Sequence, residues 1–211
     1  MNLVTKYFPG LTATQLDRYV SLYELYHDWN SKINVISRKD IDNLYLHHVL
    51  HSLAIAKFLG DLCKETEIVD VGTGGGFPAI PLAILYPSVH FHLVDRIVKK
   101  LKVVNEIASA INLSNVTIQH GDIRECHRKF DYAVSRAAMR LDELVKLTAR
   151  NISPKNRNQH PNGLVCLKGG DLVEESRDIK FPVIEYNINQ FFQEDFFDTK
   201  KLVYVPISTK R

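Results

Sequence analysis

The stretch Asp70-Val71-Gly72-Thr73-Gly74-Gly75-Gly76-Phe77 decides the fold of this chain. It ends a short apolar run at 68–71 and leads into an apolar segment with prolines at positions 78 and 81, where the first turn of a helix tolerates proline. The pattern therefore predicts a strand, a glycine-rich turn and a helix. Glycine lets the backbone turn sharply and approach a ligand that a Cβ would exclude, so the turn is a candidate binding loop.

The spacing of the glycines indicates which ligand the loop binds. A dinucleotide fingerprint requires a third glycine at position 77, where this chain has Phe77. Gly72, Gly74 and Gly76 instead form GxGxG, with Asp70 two residues before the first glycine. This version suits S-adenosylmethionine (SAM), which has no pyrophosphate to place on a helix N-terminus and whose methionyl amine Asp70 can face. A glycine-rich turn without a cofactor is the plainer alternative.

Around this loop, short apolar runs alternate with helical segments. The predicted strands lie near 68–71, 89–94, 116–118, 130–134 and 164–167, and the predicted helices near 97–112, 141–151 and 170–178. Two late strands, near 183–189 and 201–207, have no helical pattern between them and are predicted to pair antiparallel. The sequence therefore predicts an α/β, doubly wound, Rossmann-like sheet of the class I SAM methyltransferase type, ending in a C-terminal antiparallel hairpin.

The first part of the chain is predicted to be a helical extension of this sheet. Thr12 and Gln15 have the spacing of a capping box, and a one-sided apolar pattern follows them. A second helix is expected after Asp40, with Gly60 as its stop. We therefore divide the chain into an N-terminal helical extension, 1–62, and a methyltransferase domain, 63–211, that form one compact unit.

Two more loops complete the predicted cofactor site. Asp95 ends the second strand, where an acid accepts hydrogen bonds from both ribose hydroxyls; NAD sites use the same device, so Asp95 alone does not discriminate. In this topology the loop after the third strand, Gly121-Asp122-Ile123-Arg124, lies against the adenine. Ile123 is expected to cover the adenine face, whereas Asp122 is equally suited to cap a helix.

Charge is distributed unevenly along the chain. The 211 residues include 27 Lys plus Arg and 24 Asp plus Glu, a net charge of +3. Residues 96–168 include 14 basic and 6 acidic residues, so the rest of the chain has 13 basic and 18 acidic residues. A basic segment beside an acidic remainder suggests a surface that faces a polyanion, although charges solvated on all sides would give the same count.

Composition excludes several classes of protein. No apolar run approaches the ~20 residues that span a bilayer, and the N-terminus lacks the basic-then-apolar pattern of a secretory signal. The three cysteines show no CxxC spacing, so neither a zinc knuckle nor a disulfide framework is supported. We therefore expect a chain of the reducing cytoplasm.

With these motifs, the sequence resembles the ribosomal RNA small-subunit methyltransferase G family, also called glucose-inhibited division protein B, from about Trp29 to Val205. The resemblance rests on Lys32-Ile33-Asn34-Val35, HHVLHS at 47–52, DVGTGGGFPAIP at 70–81, Leu93-Val94-Asp95 with Lys99 and Lys100, Ser135-Arg136-Ala137 and Leu167-Lys168-Gly169. It implies a SAM-dependent enzyme that methylates N7 of a guanine in 16S ribosomal RNA close to the decoding site. The implied partner is 16S rRNA, the small ribosomal subunit or an assembly intermediate, and we expect a monomer.

The resemblance also implies roles for individual residues, and this chain departs from the family pattern at some positions. It implies SAM contacts at Gly72, Phe77, the pair Ile123-Arg124, and Arg136. Arg96 stands where the family usually has Ser, and Arg124 where it usually has an acid, so only a backbone role carries over to Arg124. The candidate RNA-binding residues are Lys99, Lys100, Lys168 and Lys200.

The implied chemistry requires no general base. Guanine N7 has a free in-plane lone pair, so no proton has to leave before it attacks the sulfonium methyl. We therefore assign no acid–base catalyst. Arg136 and Lys168 end adjacent predicted strands and are predicted to hold RNA phosphate or guanine O6. For Arg136, a salt bridge to an acid at the sheet edge is the alternative.

Other patterns leave alternatives open. His47, His48 and His51 share one predicted helix, but no acid or cysteine completes a metal site beside them; we predict no metal and expect them to face the cofactor pocket or to pack. Phe191, Phe192, Phe196 and Phe197 form either a stacking platform for bases or an ordinary packing loop.

The alternative functions are an RNA-binding or assembly factor without methyl transfer, an NAD(P)-linked oxidoreductase, and a SAM methyltransferase with a small-molecule or protein substrate.

Overall fold

The structure, a computed structural model, describes residues 2–136 and 139–207. Its strands are β1 Glu67–Val71, β2 His90–Asp95, β3 Val116–His120, β4 Tyr132–Ser135, β5 Gly163–Gly169, β6 Ile184–Asn187 and β7 Lys200–Pro206. They form one sheet in the order β3-β2-β1-β4-β5-β7-β6. The first five strands run parallel, whereas β7 is antiparallel to both β5 and β6. The predicted doubly wound sheet with a C-terminal antiparallel hairpin is confirmed.

Helices cover both faces of this sheet. They are α1 Asn2–Tyr7, α2 Ala13–Lys32, α3 His51–Leu59, α4 Ala79–Leu85, α5 Val98–Ala110, α6 Leu141–Thr148 and α7 Val173–Ser176. The capping box that starts α2 is confirmed, because the Gln15 amide donates to Thr12 Oγ1 and the Thr12 amide donates to Gln15 Oε1. The helix expected after Asp40 begins irregularly, with a 3-10 turn at Ile41–Asn43 and a π-helical segment at Leu44–Leu50.

The helix predicted at 170–178 was too long. Only Val173–Ser176 is α-helical. Gly170 has φ +76°, which lies outside the helical region, and Asp171 accepts a hydrogen bond from the Val173 amide (3.0 Å). The backbone before Val173 is therefore a turn with its own side-chain cap rather than a helical turn.

The N-terminal helices share one hydrophobic core with the sheet. Tyr19 and Tyr26 of α2 are fully buried, and their hydroxyls donate to the Pro81 and Gly75 carbonyls (2.7 and 2.6 Å). A second apolar cluster fills the opposite face, between α6 and the sheet. The extension therefore supports the back of the glycine loop, while the division at residue 62 stays a prediction. In the described ranges, no helix is long and apolar enough to cross a bilayer.

Candidate cofactor and RNA site

A cleft of about 290 Å³ opens where β1, β2 and β3 end. It is lined by Val71, Gly72, Val94, Asp95, Arg96, Ile97, Gly121, Asp122, Ile123, Met139 and Leu147. Of the predicted cofactor residues, Gly72, Asp95 and Ile123 belong to this lining. The cleft lies at the carboxyl edge of the parallel strands, where doubly wound sheets bind their ligands.

The Asp95 carboxylate connects the second strand to the glycine loop. Its Oδ2 accepts a hydrogen bond from the Gly74 amide, and its Oδ1 accepts one from the Ile97 amide, both at 2.8 Å. The Gly72 amide donates to the Val94 carbonyl (2.9 Å), which holds the loop against β2. An acid oriented in this way, with apolar surface from Ile97 beside it, fits the ribose and adenine of SAM.

Gly74 leaves open space beside this acid. Its φ is +57°, and among the described residues a Cβ built there would meet only the Gly72 carbonyl oxygen, at 4.0 Å. The absent side chain is therefore not required for packing within the protein. The position fits a loop that a ligand approaches closely.

Asp70 lies inside the protein rather than along the cleft. Its Oδ2 accepts hydrogen bonds from Thr73 Oγ1 (2.7 Å) and the Ala79 amide (3.2 Å), so it organises the turn and the start of α4. Its Oδ1 is buried without a hydrogen-bond partner among the described residues. Burial raises the pKa of Asp70 to about 7. The predicted contact between Asp70 and the methionyl amine stays a prediction.

Gly76 and Phe77 face the N-terminal helices. Gly76 has φ +94°, and a Cβ there would lie 2.7 Å from Ile80 Cγ1 and 3.1 Å from the Tyr26 hydroxyl. Phe77 is 3% exposed, and its ring centroid lies 4.8 Å from that of Tyr26. Both residues therefore have packing roles in this structure, and their predicted SAM contacts stay predictions.

Arg136 is held by the N-terminal layer. Its Nη1 donates to the His47 carbonyl (3.1 Å) and its Nη2 to His48 Nδ1 (2.9 Å), and its guanidinium lies 5.0 Å from the centroid of the Phe77 ring. Burial lowers the pKa of Arg136 to about 10, so the group is still charged at neutral pH. The attraction of buried Asp70 opposes this shift. Arg136 thus presents a fixed positive charge behind the glycine loop.

The three histidines are part of this arrangement. Because Arg136 donates to His48 Nδ1, the His48 proton lies on Nε2, which donates to Asp40 Oδ2 (2.8 Å). His47 Nδ1 contacts the other Asp40 oxygen at 2.5 Å. Burial lowers the pKa of His48 to about 4 and that of His51 to about 3, and Arg136 adds to both shifts. Within residues 2–136 and 139–207, no group of three or more His, Cys, Asp or Glu is arranged to hold a metal ion.

Sequence comparison decides the family. The model of the family described as rRNA small subunit methyltransferase G matches residues 13–193. The chain belongs to the rRNA small subunit methyltransferase G family. A relative from Phocaeicola vulgatus, named ribosomal RNA small subunit methyltransferase G, is 57% identical over 208 residues, which cover 99% of each chain. A relative of the same name from Bacteroides fragilis is 56% identical and covers 98% of this chain and 100% of its own.

Solved structures of other proteins share the fold of this family member. A SAM-dependent methyltransferase from Aquifex aeolicus matches with a TM-score of 0.56 at 15% identity, over 81% of this chain and 98% of its own. A SAM-dependent O-methyltransferase from Thermotoga maritima matches with a TM-score of 0.57 at 13% identity, over 82% of this chain and 71% of its own. The chain is a SAM-dependent methyltransferase with the class I fold.

The predicted RNA-binding lysines of this rRNA small subunit methyltransferase G family member lie in different settings. Lys99 and Lys100 are in the first turn of α5, with Lys99 exposed. Lys200 starts β7, and its Nζ lies 5.0 Å from the centroid of the Phe196 ring. Lys168 is 10% exposed and donates to Glu175 Oε2 (3.0 Å) and to the Met139 carbonyl. RNA contacts of all four stay predictions, and Lys168 would have to share its ammonium with Glu175.

Motif reasoning missed residues that the tertiary structure brings to the site. Arg96, Ile97, Met139 and Leu147 line the cleft, and Asp40 orients His48. Arg96 and Ile97 directly follow Asp95, the predicted ribose acid. Their position next to Asp95 in the sequence is the signal that could have indicated them. Of the two alternatives for Phe191–Phe197, the structure favours a packing loop over a stacking platform for bases, because Phe192 and Phe197 are fully buried. Ala137 of the Ser135-Arg136-Ala137 motif lies outside the described residues.

A buried histidine gives a prediction for stability. His51 is 7% exposed, and its folded pKa of about 3 lies below the unfolded value of 6.5. The depressed pKa of His51 therefore contributes stability that is fully present above pH 6.5 and is lost as the pH falls toward 3. The loss occurs because, over this range, His51 takes up a proton in the unfolded chain but not in the folded one. We expect the unfolding free energy of the wild type to fall more steeply than that of His51→Asn between pH 6.5 and 5, by about 1.4 kcal/mol per pH unit. Urea unfolding across this range measures both slopes, and parallel profiles would contradict the burial of a neutral His51.

Proposed function

We propose that this chain transfers the methyl group of SAM to N7 of a guanine in 16S rRNA near the decoding site, by direct in-line displacement without a general base. The observation that carries the proposal is the cleft at the ends of β1, β2 and β3, where Gly72 and Asp95 lie in the lining and the Gly74 amide donates to Asp95, in a member of the rRNA small subunit methyltransferase G family. The cytoplasm is the proposed compartment, and a monomer is the proposed state.

The protein has to align the reacting groups rather than move a proton. Bound SAM supplies an electrophilic methyl group on a sulfonium. Asp95 would fix the ribose through its carboxylate, and Gly72 and Gly74 would let the backbone approach the rest of the cofactor. Correct alignment of two reactants supplies much of the rate in such a displacement. Since N7 attacks with its own lone pair, no residue is required to act as a base.

Access to N7 restricts the form of the substrate. The major groove of A-form RNA is deep and narrow, so N7 is hidden inside a duplex. The target must therefore lie in a loop, be flipped out, or be reached during assembly of the subunit. The affinity for single-stranded RNA should fall with salt at a slope of about −0.7 for each phosphate neutralised.

Chemical mapping tests the target atom and its position. Methylation at N7 leaves the guanine cationic, so reduction and treatment with aniline break the strand at that nucleotide. Unmodified 16S rRNA, naked and as small-subunit particles, would be incubated with the chain and SAM and then cleaved. A single new cut near the decoding site supports the proposal, and the better substrate identifies the assembly stage. Methylated RNA without such a cut would contradict N7 as the acceptor.

Lys168 gives a prediction for RNA binding. Lys168→Ala is expected to raise the KM for RNA about ten-fold, the value of one charge-assisted hydrogen bond, and to change SAM affinity less than about two-fold. Glu175→Gln is the matched control, since it breaks the same ion pair but leaves the Lys168 charge in place. Methylation kinetics at saturating SAM compare the two. Equal losses in both variants would assign Lys168 a structural role only.

A further inference from the structure

A pair of arginines stands at the rim of the cofactor cleft. Arg96 directly follows β2, and Arg124 lies in the 3-10 turn Ile123–Glu125 after β3. Arg124 donates from Nε to Asp122 Oδ1 and from Nη2 to Asp122 Oδ2, both at 3.0 Å. Arg96 donates from Nη2 to the same Oδ2. One carboxylate therefore holds two guanidinium groups side by side.

Two arginines and two acids meet at this rim. The hydrogen bonds from Arg124 and Arg96 hold the pKa of Asp122 well below its usual range, so Asp122 carries one full negative charge. The neighbouring Glu125 carboxylate accepts from the Asp122 amide (3.4 Å) and also attracts Arg124. The two guanidinium groups are therefore balanced by two carboxylates, so an anion would be bound through their exposed N–H donors rather than through a net positive charge.

Most of the donor capacity of the pair faces solvent. The side chains of Arg96 and Arg124 are 63% and 64% exposed, whereas Asp122 is 11% exposed. A guanidinium has five N–H donors, of which Asp122 takes two from Arg124 and one from Arg96. The rest can meet a second anion. A planar guanidinium matches the oxygens of a phosphate, and two of them held together offer a preorganised fork.

The turn that carries Arg124 and Asp122 is held in place by hydrogen bonds. Arg150, after α6, donates to the Ile123 carbonyl (3.3 Å) and to the Arg124 carbonyl. The Gly121 amide donates to the Asp95 carbonyl (3.0 Å), which ties the turn to the end of β2. Arg96 and Asp122 both line the cleft. The two guanidinium groups are therefore held in fixed positions beside the cleft.

We propose that Arg96 and Arg124 form a clamp for one phosphate of the RNA strand that carries the target guanine. The inference rests on the proposed function, since it requires RNA at this cleft. The exposed ion pair with Asp122 is weak enough to share its arginines with a phosphate.

Salt dependence of RNA binding tests the clamp. The dissociation constant of an unmodified 16S rRNA fragment would be measured against salt for the wild type, Arg96→Ala, Arg124→Ala and the double variant. Each single variant is expected to weaken binding about three- to ten-fold. Because the two arginines hold one phosphate, the double variant is expected to reduce the salt slope by about 0.7. SAM affinity is measured in parallel for every variant, because Arg96 lines the cofactor cleft. Arg177→Ala is the control, since Arg177 is 67% exposed, pairs with Glu174 and lies outside the basic segment.

Two results would overturn the clamp. A double variant with the wild-type salt slope would show that the arginines only hold the loop. A loss of SAM affinity that matches the loss of RNA affinity would assign the pair to the cofactor. Neither result depends on catalysis, so the proposed function fails separately, when the wild type binds RNA but leaves N7 unmethylated.

Discussion

Gly74→Val is expected to bind SAM at least about 100-fold more weakly than the wild type, a loss of about 2.7 kcal/mol. The valine side chain would occupy the open space beside the Asp95 carboxylate, where a Cβ meets only the Gly72 carbonyl among the described residues. A β-branched residue also resists the φ of +57° at this position. Titration calorimetry with SAM measures the loss directly.

A second glycine separates ligand exclusion from backbone strain. Gly60 ends α3 with φ +64°, and its amide donates to the Ala56 carbonyl, whereas the Gly74 amide donates to Asp95. Gly60→Val should therefore lose stability, by about 1–2 kcal/mol for the left-handed conformation, but keep its SAM affinity. If Gly74→Val bound SAM as the wild type does, the cleft would not be the cofactor site. An equal loss of affinity in Gly60→Val would attribute the effect to unfolding.

Arg136→Ala is expected to slow methyl transfer about 100-fold, the size of effect that a small misplacement of reacting groups produces. The substitution removes the charge that lies 5.0 Å from the Phe77 ring centroid and the donor to His48 Nδ1. It also removes the attraction that partly offsets the burial of the Asp70 carboxylate behind the glycine loop. Single-turnover rates at saturating SAM and RNA measure the effect.

The lysine variant distinguishes charge from geometry at this position. Arg136→Lys keeps the positive charge but cannot donate through a planar fork to the His47 carbonyl and His48 Nδ1 together. Its rate should lie between those of the wild type and Arg136→Ala. Losing the donor to His48 costs about 1–3 kcal/mol of stability, so rates are compared where circular dichroism shows each variant folded. A wild-type rate in folded Arg136→Ala would remove Arg136 from the site.

The sheet and the glycine loop could be predicted from the sequence because their signals are local. The apolar run before Asp70, the glycine spacing and the acid at position 95 each depend on residues close together in the chain. Right-handed crossovers then restrict the order of the parallel strands. For the same reason, the sequence predicts Gly72, Asp95 and Ile123 as cofactor residues, and all three line the cleft.

The sequence could not show which of the predicted cofactor residues lie along the cleft and which lie inside the protein. Asp70 and Phe77 are buried, and the contact that fixes Arg136 joins residues 88 positions apart. Nothing local in Ser135-Arg136-Ala137 indicates that its arginine donates to His48. The π-helical segment Leu44–Leu50 is local, but no sequence pattern indicates it; it places His47 and His48 against the two oxygens of Asp40.

The central claim is that this chain methylates guanine N7 in 16S rRNA with SAM. The most direct test is transfer of a labelled methyl group from SAM to unmodified 16S rRNA, naked and in small-subunit particles, followed by digestion and nucleoside analysis. We expect the label to appear as 7-methylguanosine with the wild type and to be lost with Gly74→Val. Label in any other nucleoside, or unlabelled RNA from a chain that still binds SAM, would contradict it.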